Sequence, residues 1–211
     1  MADRRPPLQH YFSAEPAIAS RRRTLTVRLP DQSLVLQTDR GVFSVGGLDA
    51  GTEILLREAP PPPAAGAILD LGCGHGVIAV VLARRAPGAR VIAVDVNRRA
   101  LELTRVNAAA NGAGNVEVCQ PDDVAGELRF AAVYSNPPVR VGRSQLQELL
   151  TMWCDRLEPD GHAYLVVQRH LGADSLADRL REGGFDVHRI GSKHGYRLLD
   201  VRAGTPTSHH P

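Results

Sequence analysis

The chain has 211 residues, 43% of them apolar and 23% charged, a balance ordinary for a soluble globular protein with a substantial core. A formal net charge of +2 argues against a global field that would pull it onto nucleic acid. Three cysteines without zinc-like spacing argue against a disulfide framework, and no apolar run approaches the ~20 residues that span a bilayer, so the expected setting is a reducing cytoplasm, with no membrane and no metal.

Residues 1–23 read as an irregular arm. Residues 1–30 carry Arg4, Arg5, Arg21, Arg22, Arg23 and Arg28 against Asp3 and Glu15, a local balance of +4 that suits either phosphate contact or a solvated arm. Thr24–Leu29 and Ser33–Thr38, joined by Pro30-Asp31-Gln32, predict a β-hairpin. A glycine-bearing loop around Gly41–Gly47 and a short helix over Ala50–Glu58 follow, and the run Pro60–Pro63 ends that helix. This divides the chain into an N-terminal extension (1–63), a main domain (64–203) and a disordered tail (204–211).

The main domain alternates. Strands are predicted at Ala67–Leu71, Arg90–Val94, Asn115–Cys119, Phe130–Ser135 and Ala163–Gln168, with helices at Val77–Arg85, Arg98–Asn111, Gln145–Leu157 and Ser175–Glu182. Phe185–Ile190 and Arg197–Arg202 form a closing pair around Lys193-His194-Gly195, and the short connection makes that pair antiparallel. The pattern is α/β: a doubly wound, Rossmann-like, mostly parallel sheet with helices on both faces.

The strongest local feature is Asp70-Leu71-Gly72-Cys73-Gly74-His75-Gly76, after the first strand of the main domain and before its first helix. Alternate glycines permit a sharp turn and close approach of a ligand. The dinucleotide fingerprint needs its third glycine one position later, where Val77 stands, and Asp70 would repel a pyrophosphate while suiting an amino group. That combination favours S-adenosylmethionine over a nicotinamide cofactor. Asp95, followed by Val96 at the end of the second strand, is placed to accept hydrogen bonds from ribose hydroxyls. Asp122 or Asp123, after the third strand, could accept one from an adenine amino group, with Asp122 preferred as the first after the strand and an Asx-turn as the other role open to either.

The fourth strand runs into Asn136-Pro137-Pro138. Two prolines fix the backbone and remove two donors, so this segment presents carbonyl acceptors and one amide. Such acceptors can hold both hydrogens of an –NH₂ group and aim its lone pair at a methyl group, which makes Asn136 and Pro137 the catalytic candidates, with Pro138, Val139 and Arg140 toward the substrate. Cys73 has no visible activating partner, and Trp153 reads as core.

These residues resemble class I S-adenosylmethionine-dependent methyltransferases, and more narrowly the small-domain type related to guanine-N2 methyltransferases of small-subunit ribosomal RNA. The resemblance spans about Thr24 to Val201 and rests on Asp39-Arg40-Gly41-Val42-Phe43-Ser44, Leu48-Asp49-Ala50-Gly51-Thr52, the Asp70–Gly76 loop and Ser135-Asn136-Pro137-Pro138. It implies a seven-stranded sheet, cofactor contacts at Asp70, Gly72, Asp95 and Asp122, and a Phe43 loop that closes over the cofactor; Gly74 and Gly76 join the cofactor candidates as members of the glycine loop itself. Amine binding would fall to Asn136 and Pro137. Val139 stands where many amino-directed base methyltransferases place a stacking aromatic ring. The expected substrate is an exocyclic amine of a base, guanine N2, in ribosomal RNA, with a small-molecule amine or guanidine as the alternative, handled by a monomer or homodimer. A protein that binds without turnover is a third reading, against which the intact Asn-Pro-Pro segment argues.

Overall fold

The computed structural model describes residues 19–42, 47–137 and 142–204. Phe43, Pro138, Val139, Arg140, Arg4, Arg5 and the 205–211 end of the tail lie outside the described residues.

A hairpin comes first, β1 (Arg23–Arg28) and β2 (Ser33–Thr38), paired antiparallel with Leu25 opposite Leu36. Leu34, Leu36 and Thr38 point inward while Ser33, Val35 and Gln37 point out, the alternation of a half-buried strand. The edge of β2 is covered by two asparagines of α3 (Arg98–Ala110 with its C-cap). The Asn107 amide exchanges hydrogen bonds with Gln37 (2.7 and 2.8 Å), and Asn111 does the same with Val35 (3.3 and 3.0 Å). Side-chain amides one helical turn apart thus match alternate residues of a strand and satisfy an edge that would otherwise be bare.

Helix α1 (Ala50–Glu58) starts where the Asp49 side chain accepts from the Thr52 amide, and it stops at the proline run. The main sheet has seven strands in the order β5-β4-β3-β6-β7-β9-β8. These are β3 (Ala67–Leu71), β4 (Arg90–Val94), β5 (Val116–Cys119), β6 (Phe130–Ser135), β7 (Leu157–Gln168), β8 (Asp186–Lys193) and β9 (Tyr196–Arg202). Pairings from β5 through β7 are parallel, and β9 runs antiparallel to both β7 and β8. The predicted doubly wound sheet with its antiparallel last strand is therefore present.

Each face carries its own core. Hairpin residues Leu34 and Leu36, Leu55 of α1 and almost all of α2 (Val77–Arg85) pack with Ile68, Val91 and Tyr134 on one side. Leu150 and Trp153 of α4 (Arg143–Cys154) and Leu176 of α5 (Ala173–Glu182) pack with Leu69, Val133 and Leu165 on the other. Trp153 is 1% exposed, as expected of a core residue.

One boundary differs. The fourth helix of the main domain was expected to run to Leu157, but α4 ends at Cys154 and Leu157 already pairs with Phe130 in the sheet. The register then shifts before Ala132 meets His162, which absorbs Pro159-Asp160-Gly161. A side chain at Gly161 would lie 2.7 Å from the Phe130 carbonyl, so the close return of the chain there needs glycine.

Candidate active site

Strand order reverses between β3 and β6, and in open α/β sheets that is where a crevice opens at the carboxyl ends of the strands. A cavity of about 530 Å³ lies there, within the ~300–1,000 Å³ of small-molecule sites. Its walls come from the ends of β3 (Leu71, Gly72, Gly74), β4 (Val94 to Asn97), β6 (Asn136, Pro137) and β7 (Val166 to Gln168). Val42, Asp49, Ala100, Pro121, Leu149, Leu171 and Tyr196 complete them.

The glycine loop is held from beneath. Gly72, Gly74 and Gly76 all have positive φ (77°, 57° and 85°), the left-handed region that favours glycine. The Gly72 and Cys73 amides donate to the Val94 carbonyl at 2.9 Å. From α3, Thr104 donates to the Gly74 carbonyl (3.1 Å) and Asn107 to the His75 carbonyl (2.7 Å). The loop's carbonyls are thereby turned toward the helix.

Asp95 lies on the cavity wall. Its two oxygens accept from the amides of Gly74 (3.0 Å) and Asn97 (2.9 Å), and burial pushes its carboxyl above the ordinary carboxylate range. Each oxygen keeps a second lone pair, so the carboxylate can still accept from a ligand hydroxyl. Val96 lines the cavity beside it.

Asp70 does not reach the wall. It is fully buried and faces α2, where it accepts from the Ala79 amide at 2.9 Å. Gly76 cannot cap α2 through a side chain, so Asp70 serves the orphan amide of the first turn instead. Burial raises its carboxyl to about 8, with the charge of Asp95 adding to the rise, and its other oxygen has no partner among the described residues. Gly76 likewise packs on Thr104 rather than facing the cavity. Of the Pro121–Asp123 turn, Pro121 is the residue on the wall, and Asp123 accepts from the Gln120 amide at 3.2 Å, closing the turn. Cys73 is a buried thiol 3.4 Å from Thr104, its ionisation pushed well up by burial, which removes it as a nucleophile.

Asn136 is on the wall with both amide hydrogens committed. Its Nδ2 donates to Asp49 Oδ2 at 2.7 Å and to Thr52 Oγ1 at 2.9 Å. A carboxylate can only accept, so the nitrogen of the amide must face Asp49 and Oδ1 is the acceptor the side chain offers. Sequence reasoning quoted Asp49 and Thr52 only as part of a family segment. Their partnership with Asn136 spans more than 80 residues of chain, and its one local signal is the helix-start pattern at Asp49.

Tyr196 and Gln168 close the far end of the cavity, with Gln168 Nε2 donating to the Tyr196 hydroxyl at 2.6 Å. A side chain at Gly51 would lie 2.6 Å from the Tyr196 ring, so that glycine is what admits the ring. Near the cavity mouth, Asn97 donates to the Gly41 carbonyl (3.0 Å) and Arg99 to that of Arg40 (2.8 Å), strapping this segment onto the start of α3. Buried Asp39 accepts from Ser20 Oγ and the Arg21 amide, each at 2.5 Å, and so ties the end of the arm to the same place.

Among the described lining residues, the charged ones are both carboxylates, Asp49 and Asp95, with no lysine, arginine or histidine. Among the described lining residues a pyrophosphate meets no cation. A cationic ligand that also bears vicinal hydroxyls fits both the sign of the charge and the acceptors.

Residues 33–200 match the family model described as methyltransferase small domain. The chain belongs to that family. It is 32% identical to the Bacillus subtilis protein YbxB over 197 residues, 92% of this chain and 98% of that one. It is 36% identical to ribosomal RNA small subunit methyltransferase C of Pseudomonas aeruginosa over 171 residues, 79% of this chain but 51% of the relative, so it spans about half the length of that protein. The Thermus thermophilus 16S rRNA N2 G1207 methyltransferase, solved with AdoMet and guanosine, superposes with a TM-score of 0.73 at 25% identity, covering 89% of this chain and 52% of that one. The family places the chain among the methyltransferases with a Rossmann-like fold, and no described helix is long and apolar enough to cross a membrane.

Proposed function

We propose that the chain moves a methyl group from S-adenosylmethionine to the exocyclic N2 amine of guanine in ribosomal RNA. The observation that carries this reading is the Asn136 amide, fixed by Asp49 and Thr52 so that its oxygen is the acceptor on the wall of an acid-lined cavity. The relatives acting on small-subunit rRNA, and the neighbour solved with AdoMet and guanosine, support the same assignment.

The residues fit the cofactor. Asp95 would hold the ribose hydroxyls, the Gly72–Gly74 backbone would lie along the amino-acid portion, and Val96 and Pro121 would flank the base. Asp70 and Gly76 act one layer below, by fixing the start of α2 and the loop above it. The cofactor supplies a methyl group on a positively charged sulfur. Asn136 Oδ1 and the Pro137 carbonyl would accept the two amine hydrogens, which localises a lone pair that the aromatic ring otherwise delocalises. Holding the amine in line with the methyl removes most of the orientational cost of displacement.

The test is transfer of tritium from methyl-labelled S-adenosylmethionine into a cell extract separated into RNA and small molecules, with Asn136→Ala alongside. Label in RNA that the substitution abolishes supports the proposal, and nucleoside analysis must then find N2-methylguanosine. Label confined to small molecules moves the assignment to a free amine or guanidine.

A further inference from the structure

Asp49 anchors the Asn136 amide, but its negative charge has no role in that task. Asp49 lines the cavity, is fixed as the N-cap of α1, and reaches Asn136 through the same Oδ2 that accepts from Thr52. An N-cap and an anchor for Asn136 need only a neutral acceptor, and asparagine caps a helix as well as aspartate does. A carboxylate is therefore more than either task requires, and it lies beside Asn136 on the wall of a cavity whose other described charge is Asp95, assigned above to the ribose.

We infer that Asp49 is the counter-anion of methyl transfer and the acceptor of the proton that the amine sheds, an inference that rests on the assignment above. In the transfer, the amine lone pair forms the new N–C bond and the S–C pair stays on sulfur, which leaves as a neutral thioether. The positive charge thus passes from sulfur to nitrogen. An anion beside Asn136 is nearest the nitrogen end of that path, so it favours the transition state over the starting complex. The methylated nitrogen is then a cation with an acidic N–H. Its proton passes to an Asp49 carboxylate oxygen, the N–H electron pair returns to nitrogen, and the proton leaves to water.

The same charge should separate the two forms of the cofactor, because the sulfonium is a cation and the thioether product is not. Asp49→Asn tests this while keeping the size of the side chain, the helix cap and an acceptor for Asn136. Calorimetry on the full chain would compare S-adenosylmethionine with S-adenosylhomocysteine, and single-turnover methylation of guanosine-containing RNA would follow. We expect the variant to lose several-fold of the preference for the sulfonium and at least about a hundredfold in rate, the lower end of the range for a lost proton acceptor, with an unchanged melting temperature. An affinity ratio equal to that of the natural chain overturns the inference, whatever the rate does, and leaves Asp49 as cap and anchor. The ratio is read without any methyl acceptor, so failure of the RNA assignment shows separately, as absent turnover in the unsubstituted protein.

Discussion

Gly76→Ala is the substitution whose cost the structure specifies most completely. Gly76 sits at φ 85° and ψ 15°, the left-handed conformation, as the N-cap of α2. For an L-residue that conformation costs about 1–2 kcal/mol. The added methyl would also lie 2.7 Å from Thr104 Cγ2, 2.9 Å from its Oγ1 and 3.0 Å from its Cα. The side-chain atoms can be cut away, but the backbone of α3 cannot retreat without disturbing Thr104 and Asn107, which hold the loop carbonyls. Overpacking of this kind costs about 1–3 kcal/mol, and reduced freedom of the unfolded chain returns about 0.4–1 kcal/mol. The net expectation is a loss of about 1–5 kcal/mol, read from the midpoint and slope of urea unfolding. Combining it with Thr104→Ala should recover the part of the overpacking that comes from Thr104 Cγ2 and Oγ1 and leave the backbone contact and the dihedral share, so the two substitutions must couple in a double-mutant cycle. A Gly76→Ala protein within about 0.5 kcal/mol of the unsubstituted one, the range of an inconsequential surface change, would refute both the loop geometry and its packing on α3.

Three further outcomes are expected. Asp95→Asn removes the charge that would bind the ribose, and affinity for S-adenosylmethionine measured by calorimetry should fall at least about tenfold, since a hydrogen bond to a charged group contributes about 1.5–3 kcal/mol; unchanged affinity would remove Asp95 from the site. Thr52→Val keeps the shape of the side chain but deletes one of the two acceptors fixing Asn136, so kcat should fall several-fold while cofactor affinity holds, and a loss of cofactor affinity instead would contradict the positioning role. Asp70 is raised from 3.8 to about 8 by burial, so between those values the unfolded chain gives up a proton that the folded chain keeps. Stability should therefore fall as pH rises from about 4 to about 8, by at most ~1.4 kcal/mol per pH unit, and Asp70→Asn should flatten that slope; parallel profiles for the two proteins would disprove it.

Local pattern made the hairpin, the alternating strands and helices and the glycine loop legible, because each is dictated by neighbours a few residues apart. The α4–β7 junction was misread because Leu157 suits an apolar helical face as well as a strand, and only its pairing with Phe130 decides. Asp70 was read as a ligand contact because an acid before a glycine loop has the right charge; its strand position turns it toward α2, where Ala79 takes it. Tyr196 follows the Lys193-His194-Gly195 turn directly, yet its position on the cavity wall depends on β9 lying beside β7 and on Gly51 admitting the ring. Asp49 was the most hidden, since the residue it serves is Asn136, far along the chain.

The sign of the cavity's charge supplies what the glycine loop cannot. A strand–glycine–helix turn followed by an acid at the next strand end serves a nicotinamide dinucleotide and S-adenosylmethionine alike. Net charge does not separate them, because 25 basic and 23 acidic residues nearly cancel. The described basic side chains lie elsewhere: Arg85 grips Asp31 under the hairpin, Arg90 pairs with Glu117 on the sheet edge, and Arg99 holds the Arg40 carbonyl outside the cavity. What remains on the wall is one carboxylate suited to a ribose and another beside the amide that would hold the amine. A cationic cofactor that also bears ribose hydroxyls is favoured by that arrangement, and a dianionic pyrophosphate is opposed by it.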